Sequence, residues 1–283
     1  MFSNGVRAIL SKGSMLVDSP GLQQGKSIVL KTINASFARK LNEERRERLI
    51  QYFEREAGIW RLTSGHSNIL ELYGFMRVPG QAFPSLVSPY YGDGDLRAFV
   101  EEQGRGKLPA KQCIQFILDI AHGLEFLHSL TPAVIHRDLK ASNVLVRRDG
   151  EILSAVLIDF GSAKISDPSL FRILKTTCSS SMAWSPPEYI FFPETYTNPT
   201  AQGDIWSLAC TSIETFTGRD PYKGYDVKEA LANGEIPERP NNSKVSINDA
   251  VWCFMKKCWN MSSDKRPSAK QAVSDLEEIL MVT

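Results

Sequence analysis

Three oxygen-bearing side chains stand out by type and spacing. Asp138 and Asn143 lie in His136-Arg137-Asp138-Leu139-Lys140-Ala141-Ser142-Asn143, and Asp159 ends an apolar run and opens Asp159-Phe160-Gly161. A hard divalent cation takes oxygen ligands and keeps several waters, so one or two protein oxygens suffice where a second oxygen-rich ligand shares its shell. A further carboxyl can orient a hydroxyl and accept its proton. Taken singly, the same residues are ordinary turn formers, and Asp159-Phe160-Gly161 is equally a strand end followed by a glycine turn.

The two stretches carry, in order, the patterns H-R-D-L-x-x-x-N and D-F-G, and through them the chain resembles the protein kinases. Five fixed positions of the first pattern would recur by chance in roughly one in ten thousand chains of this length, which sets coincidence aside. The resemblance implies that Asp159 and Asn143 hold magnesium against the outer phosphates of ATP. It leaves Asp138 for the acceptor. An aspartate with a reference pKa of about 3.9 is a weak base toward an alcohol, so its expected part is to orient the hydroxyl and take the proton late. Lys140 stands where Ser/Thr kinases and their tyrosine-kinase-like relatives carry a lysine that reaches the transferring phosphate. Ser/Thr specificity is favoured by that resemblance.

Elements must hold these groups. Asn143-Val144-Leu145-Val146 and Ala155-Val156-Leu157-Ile158 read as short strands presenting Asn143 and Asp159 from one platform. Upstream, Ser27-Ile28-Val29-Leu30-Lys31 reads as a strand in the place of the family's V-A-I-K, with Lys31 matching the lysine that pairs with the inner phosphates. Without the later motifs Lys31 would be a solvated strand cap. Val29 replaces a small alanine and crowds the adenine pocket. Asn42 to Arg61 has the period of a helix, with Leu49, Ile50, Phe53, Ala57 and Trp60 as its apolar stripe. Glu56 at the edge of that stripe either pairs with Lys31, as in kinases, or is one more solvated charge beside Glu43, Glu44 and Glu47.

The glycine pattern G-x-G-x-x-G-x-V is missing. Counting back from Lys31 puts Val17 at the pattern's valine and predicts a loop over Lys12-Gly13-Ser14-Met15-Leu16, with Gly21 and Gly25 making a hairpin turn around Gln23-Gln24. Leu86-Val87 ends the last strand of this part, and Ser88-Pro89-Tyr90-Tyr91 is the hinge, with Ser88 at the gatekeeper position. Adenine would take the carbonyl of Pro89 and the N–H of Tyr91, so the N–H that proline lacks is not one that is needed. Asp95 is a helix cap.

Farther on, Ala110 to His128 is an amphipathic helix in which His122 and His128 are ordinary helix residues. The resemblance makes Ser162 to Pro187 an activation segment. Thr176, Thr177, Ser179 and Ser180 offer hydroxyls to an upstream kinase there, and Arg137 with Lys164 could receive the phosphate. Ser181 aligns with a hydroxyl that braces the catalytic loop, Asp204 with an aspartate that holds the loop's backbone, and Arg266 with the arginine that pairs with Glu188. Trp60, Leu72, Phe160 and His136 align with the family's apolar column. Ala269 to Met281 is a last amphipathic helix.

The chain has 283 residues, 33 basic and 32 acidic, for a formal charge of +1, which calls for neither nucleic acid nor a charged membrane. No apolar run reaches the length of a membrane span. Five cysteines, an odd number with no CxxC pair, point to reduced thiols inside the cell, in the cytoplasm and also the nucleus. The implied fold is α+β, the two-lobed kinase fold: a small β-rich lobe over residues 1–87, a hinge over 88–94 and a mainly helical lobe over 95–283, with ATP in the cleft. The expected function is ATP- and magnesium-dependent phosphorylation of Ser or Thr in protein substrates. The alternative is a pseudokinase that acts as an interaction module, suggested by the missing glycines and Val29. A small-molecule kinase would share the base and metal residues, but Pro187-Glu188 and Arg266 imply a peptide platform.

Overall fold

The computed structural model describes residues 8–19, 22–104, 107–165, 181–192, 198–240 and 247–283, and the chain forms two compact units, Met1–Tyr91 and Gly92–Thr283. In the first, β1 (Ala8–Ser19) and β2 (Leu22–Ile33) pair antiparallel in a long hairpin, and β3 (Gly74–Met76) and β4 (Ser85–Pro89) complete a sheet of order β1-β2-β4-β3. Helix α1 (Ala35–Arg39) is capped by the Asn34 side chain and α2 (Glu43–Thr63) by that of Asn42, whose oxygen accepts from Arg45 N–H at 3.0 Å. Phe53, Ala57, Ile59 and Trp60 are the apolar residues α2 buries, while Leu49 and Ile50 are only half-buried.

Two expectations are corrected here. The predicted loop at Lys12–Leu16 is the interior of β1, where Lys12 pairs with Val29 and Gly13 with Ile28. The turn does not fall at Gln23-Gln24 either, since these pair with Asp18 and Val17, and Gly25 pairs with Leu16. The strands instead end at Ser19 and resume at Leu22. Neither strand alternates apolar and polar residues here, so no apolar face fixes the register from sequence.

In the second unit α3 (Leu96–Gln103), capped by Asp95, leads to α4 (Ala110–Ser129), whose apolar face is fully buried. The two-residue strands β5 (Val134–Ile135) and β8 (Lys164–Ile165) pair with one another, and β6 (Val144–Asp149) forms a hairpin with β7 (Ile152–Leu157). Helices α5 (Pro187–Phe191), α6 (Ala201–Thr217), α7 (Val227–Ala232), α8 (Asp249–Cys258) and α9 (Ala269–Met281) complete the unit. The β-rich first unit and helical second make the molecule α+β.

Helix α6 is the unit's core. Every residue from Gly203 to Thr217 is buried, and its hydroxyls bond back to the preceding turn, as Thr211, Ser212, Thr215 and Thr217 each donate to the carbonyl four residues earlier. That pairing gives these buried hydroxyls their partners within the helix. Gly203 is required by close approach, because a Cβ there would lie 2.2 Å from the Tyr189 hydroxyl. The helix ends at Gly218 in the left-handed region, φ 60°. As the resemblance implied, Arg266 and Glu188 form a two-pronged pair, at 2.6 and 2.7 Å.

Candidate active site

In the first unit the Lys31 ammonium donates to Glu56, and Glu56 is only 6% exposed, whereas Glu43, Glu44 and Glu47 face solvent. Of the two readings of Glu56, the ion pair is the one the structure holds. The register places Ser88 of β4 beside Val29 and Leu86 beside Lys31. Tyr90 N–H donates to Ser27 O at 3.1 Å, which anchors the hinge, and Pro89 lies opposite Ile28. Val17 is not brought to Val29: it pairs with Gln24, five residues along β1 from Lys12, or about 16 Å at strand rise. Lys12 has that neighbouring place, and its ammonium lies 3.8 Å over the Tyr90 ring.

In the second unit a loop bearing Asp138 runs from β5 to β6, and α6 fixes its start. The two oxygens of Asp204, 1% exposed, accept from His136 N at 2.8 Å and Arg137 N at 2.9 Å. These bonds hold Arg137 at φ 68°, a left-handed conformation that a side-chain-bearing residue adopts only under constraint. Burial alone would raise the Asp204 pKa, but the hydrogen bond and charge of His128, at 2.9 Å, with His136 and the Arg137 amide, bring it below the ordinary value. His128, read from the sequence as an ordinary helix residue, is thus part of the support. His136 Nε2 donates to Ile158 O at 3.0 Å, which leaves Nδ1 to accept the Asp138 N–H at 3.4 Å. The His136 ring meets the buried Phe160 edge-on, centroids 5.8 Å apart, and in the first unit the Trp60 indole donates to Leu70 O at 2.6 Å.

Around Asp138 the groups converge. Lys140 Nζ lies 3.2 and 3.3 Å from its carboxylate oxygens and 2.8 Å from Ser181 Oγ. Asn143 Nδ2 donates to Asp138 O at 2.7 Å and to Oδ2 at 3.0 Å. Both amide hydrogens are thereby used, and Oδ1 remains as the atom a cation would take. Asn143 O accepts from Ile158 N at 3.0 Å, tying the asparagine to the residue before Asp159. Asp159 itself is exposed, at φ 66°, beside the buried Phe160. One carboxylate and one amide oxygen on rigidly joined segments fit a hard cation that completes its shell with water and phosphate oxygens.

Sequence reasoning missed Glu214. In α6, 2% exposed, it accepts from Ala141 N at 2.8 Å, from the Trp184 indole at 2.6 Å and from Arg97 Nη1 at 2.9 Å. Burial raises its pKa despite these bonds. The signal was available, since Glu214 is the one charge between Ile205 and Thr217, and a charge inside a buried helix needs a partner. Asp119 of α4 was missed as well; its Oδ2 accepts from Ala155 N at 2.8 Å and so steadies β7. Thr176, Thr177, Ser179 and Ser180 lie outside the described residues.

The family model for the protein kinase domain matches residues 20–276. The chain is 28% identical over 263 residues to an RGS domain-containing serine/threonine-protein kinase A of Dictyostelium discoideum, covering 92% of this chain and 21% of that protein. It is 27% identical over 281 residues to a mitogen-activated protein kinase kinase kinase of Drosophila melanogaster, with 97% and 22% covered. It is also 28% identical over 246 residues to fibroblast growth factor receptor 1 of Pleurodeles waltl, with 81% and 28% covered. With the catalytic loop and its anchors in place, the chain belongs to the protein kinase domain family. It spans between about a fifth and just over a quarter of the length of these relatives.

Proposed function

We propose that this chain transfers the γ-phosphate of ATP, in the presence of magnesium, to serine or threonine hydroxyls of protein substrates. The observation that carries the reading is the Asp138 carboxylate with the Lys140 ammonium and Asn143 amide on it, on a loop anchored by Asp204. Asp138 orients the acceptor hydroxyl and receives its proton as the new oxygen–phosphorus bond forms and the bond to the leaving phosphate oxygen breaks. Lys140 supplies positive charge beside the acceptor, and Lys31, steadied by Glu56, supplies it to the nucleotide's inner phosphates. Ser88, Val29, Pro89 and Tyr91 are assigned to the adenine. Magnesium, when bound, spreads charge over the outer phosphates, with Asn143 and Asp159 as the residues that would hold it. The serine and threonine preference rests on Lys140 and on the relatives named as Ser/Thr kinases.

The test is transfer of labelled γ-phosphate to a generic protein substrate by wild type and by Asp138→Asn, followed by phospho-amino-acid analysis. Phosphotyrosine as the main product would overturn the hydroxyl assignment. An upstream kinase acting on Thr176 to Ser180 belongs to the same proposal, with Arg137 and Lys164 as the phosphate's receivers. Intact-mass analysis of the active protein is expected to show at least one phosphate, and full activity of unmodified protein would remove this regulation. A cytoplasmic or nuclear setting is proposed with it, on the cysteine usage.

A second reading, the pseudokinase, is favoured by Lys12. Its position across from Val29, with its ammonium on Tyr90, puts a charged side chain beside residues assigned to the purine. An exposed cation–π contact is worth about 0.5–1 kcal/mol, or a factor of about 2 to 5 in affinity if nucleotide must displace it. Lys12→Ala is therefore expected to tighten ATP–magnesium binding by that factor in calorimetric titration. No measurable binding in either protein would favour the pseudokinase.

A further inference from the structure

A pocket of about 260 Å³ opens one side chain away from Asp138. Lys140, Ser181 and Trp184 line one part of it, and Arg97, Glu214 and Asp220 another. The same Lys140 ammonium that lines the pocket donates to the Asp138 carboxylate at 3.2 Å. The pocket therefore lies within reach of side chains that flank a hydroxyl presented to Asp138.

The acids around Arg97 outnumber it. Its Nη1 is shared between Glu214 Oε1 at 2.9 Å and Asp220 Oδ1 at 2.8 Å, while Nε donates to Glu101 Oε1 at 2.9 Å. One guanidinium thus stands among three carboxylates, one of them buried, with bonds to both of its edges. Were that guanidinium withdrawn, two acids of the pocket lining, Glu214 and Asp220, would lose the cation they share, and the buried Glu214 carboxylate would favour another planar cation in its place.

We propose that Arg97 is a specificity-determining residue: it fills the guanidinium place of this pocket from within the chain, so that an arginine next to the acceptor residue of a substrate gains nothing there. Neutral side chains are accepted in its place. The inference rests on the protein-kinase reading above, since it concerns the segment that carries the acceptor. It assigns Arg97 no contact with the reacting atoms.

Arg97→Ala is the test, with two readouts. Peptides that differ only in Arg or Ala beside the acceptor serine are titrated calorimetrically against wild type and variant. Wild type is expected to bind the two alike, and the variant to bind the Arg peptide at least 10-fold more tightly. In thermal unfolding, millimolar ethylguanidinium is expected to raise the midpoint of the variant and leave wild type unmoved. If the variant folds poorly by itself, recovery with ethylguanidinium is the supporting result. A second change, Glu214→Gln in the Arg97→Ala background, is expected to abolish both gains. Wild type that already prefers the Arg peptide overturns the proposal, as does a variant indifferent to both Arg peptide and ethylguanidinium. Neither readout needs phosphoryl transfer, so a chain that discriminates peptides yet never transfers phosphate would defeat the kinase reading and leave this one standing.

Discussion

Asp138→Asn is expected to lower phosphoryl transfer by roughly 10²- to 10⁴-fold while leaving nucleotide affinity within a factor of about two. The size follows from what is lost. Asparagine keeps the shape of the side chain and can still accept from Lys140, so the loop stays in place. It cannot take the acceptor's proton, and its amide nitrogen turns a donor toward either Lys140 or Asn143, both of which donate to Asp138 in wild type. Nucleotide contacts are assigned elsewhere, to Lys31 and the hinge, which is why affinity should hold. Single-turnover transfer beside calorimetric titration with ATP–magnesium separates the two quantities. Equal loss in both would mean that Asp138 shapes the nucleotide site and does not serve the acceptor.

Asp204→Asn should cost about 3–5 kcal/mol of folding stability in urea unfolding, the range for breaking a buried charged network. Three donors converge on the wild-type carboxylate: His136 N–H, Arg137 N–H and His128 Nε2. Asparagine has one acceptor oxygen, and its NH₂ must face at least one of those donors with no water to relieve it. The pH dependence has a fixed sign. The folded-state pKa of Asp204 is lowered, so the native state holds the charged form better than the unfolded chain does. Its stabilisation is complete above the ordinary carboxylate pKa of about 3.9 and is lost as pH falls through the lower folded value. Glu214 has the opposite sign: its raised pKa means that the penalty for burying its charge is relieved on acidification. Asp204→Asn should accordingly flatten the acid limb of stability below about pH 4, and an unchanged limb would show that Asp204 is not its source.

The second unit was legible because chemistry constrains residue type there. Asp138, Asn143, Asp159, Asp204 and the pair Arg266–Glu188 each need one kind of side chain at one spacing; the structure ties Asn143 to Asp138, anchors their loop on Asp204, and joins Arg266 to Glu188. The first unit was legible in the strand through residues 27–31, the helix over residues 42–61 and the charge pair of Lys31 with Glu56. The hairpin register was not, because Met15-Leu16-Val17-Asp18, which faces Gln23-Gln24-Gly25-Lys26, has no apolar alternation to pin either strand. Arg97 and Glu214 were hidden for another reason: 117 positions separate them, and nothing local in α3 announces that its arginine belongs to α6.

Helix α6 holds the catalytic loop at two places. Asp204 takes the amides of His136 and Arg137, and Glu214, ten residues and about 15 Å farther along the axis, takes the amide of Ala141. Asp138 lies between those tethers. Solvent can reach the three amides only when the tethers open, and both tethers are side chains of the most deeply packed helix in the unit. Loops ordinarily exchange their hydrogens through cheap local excursions, but this one is coupled to the core and should protect its amides nearly as well as α6 protects its own. Asp138 therefore inherits the rigidity of a buried helix while staying on a segment that has no regular structure of its own.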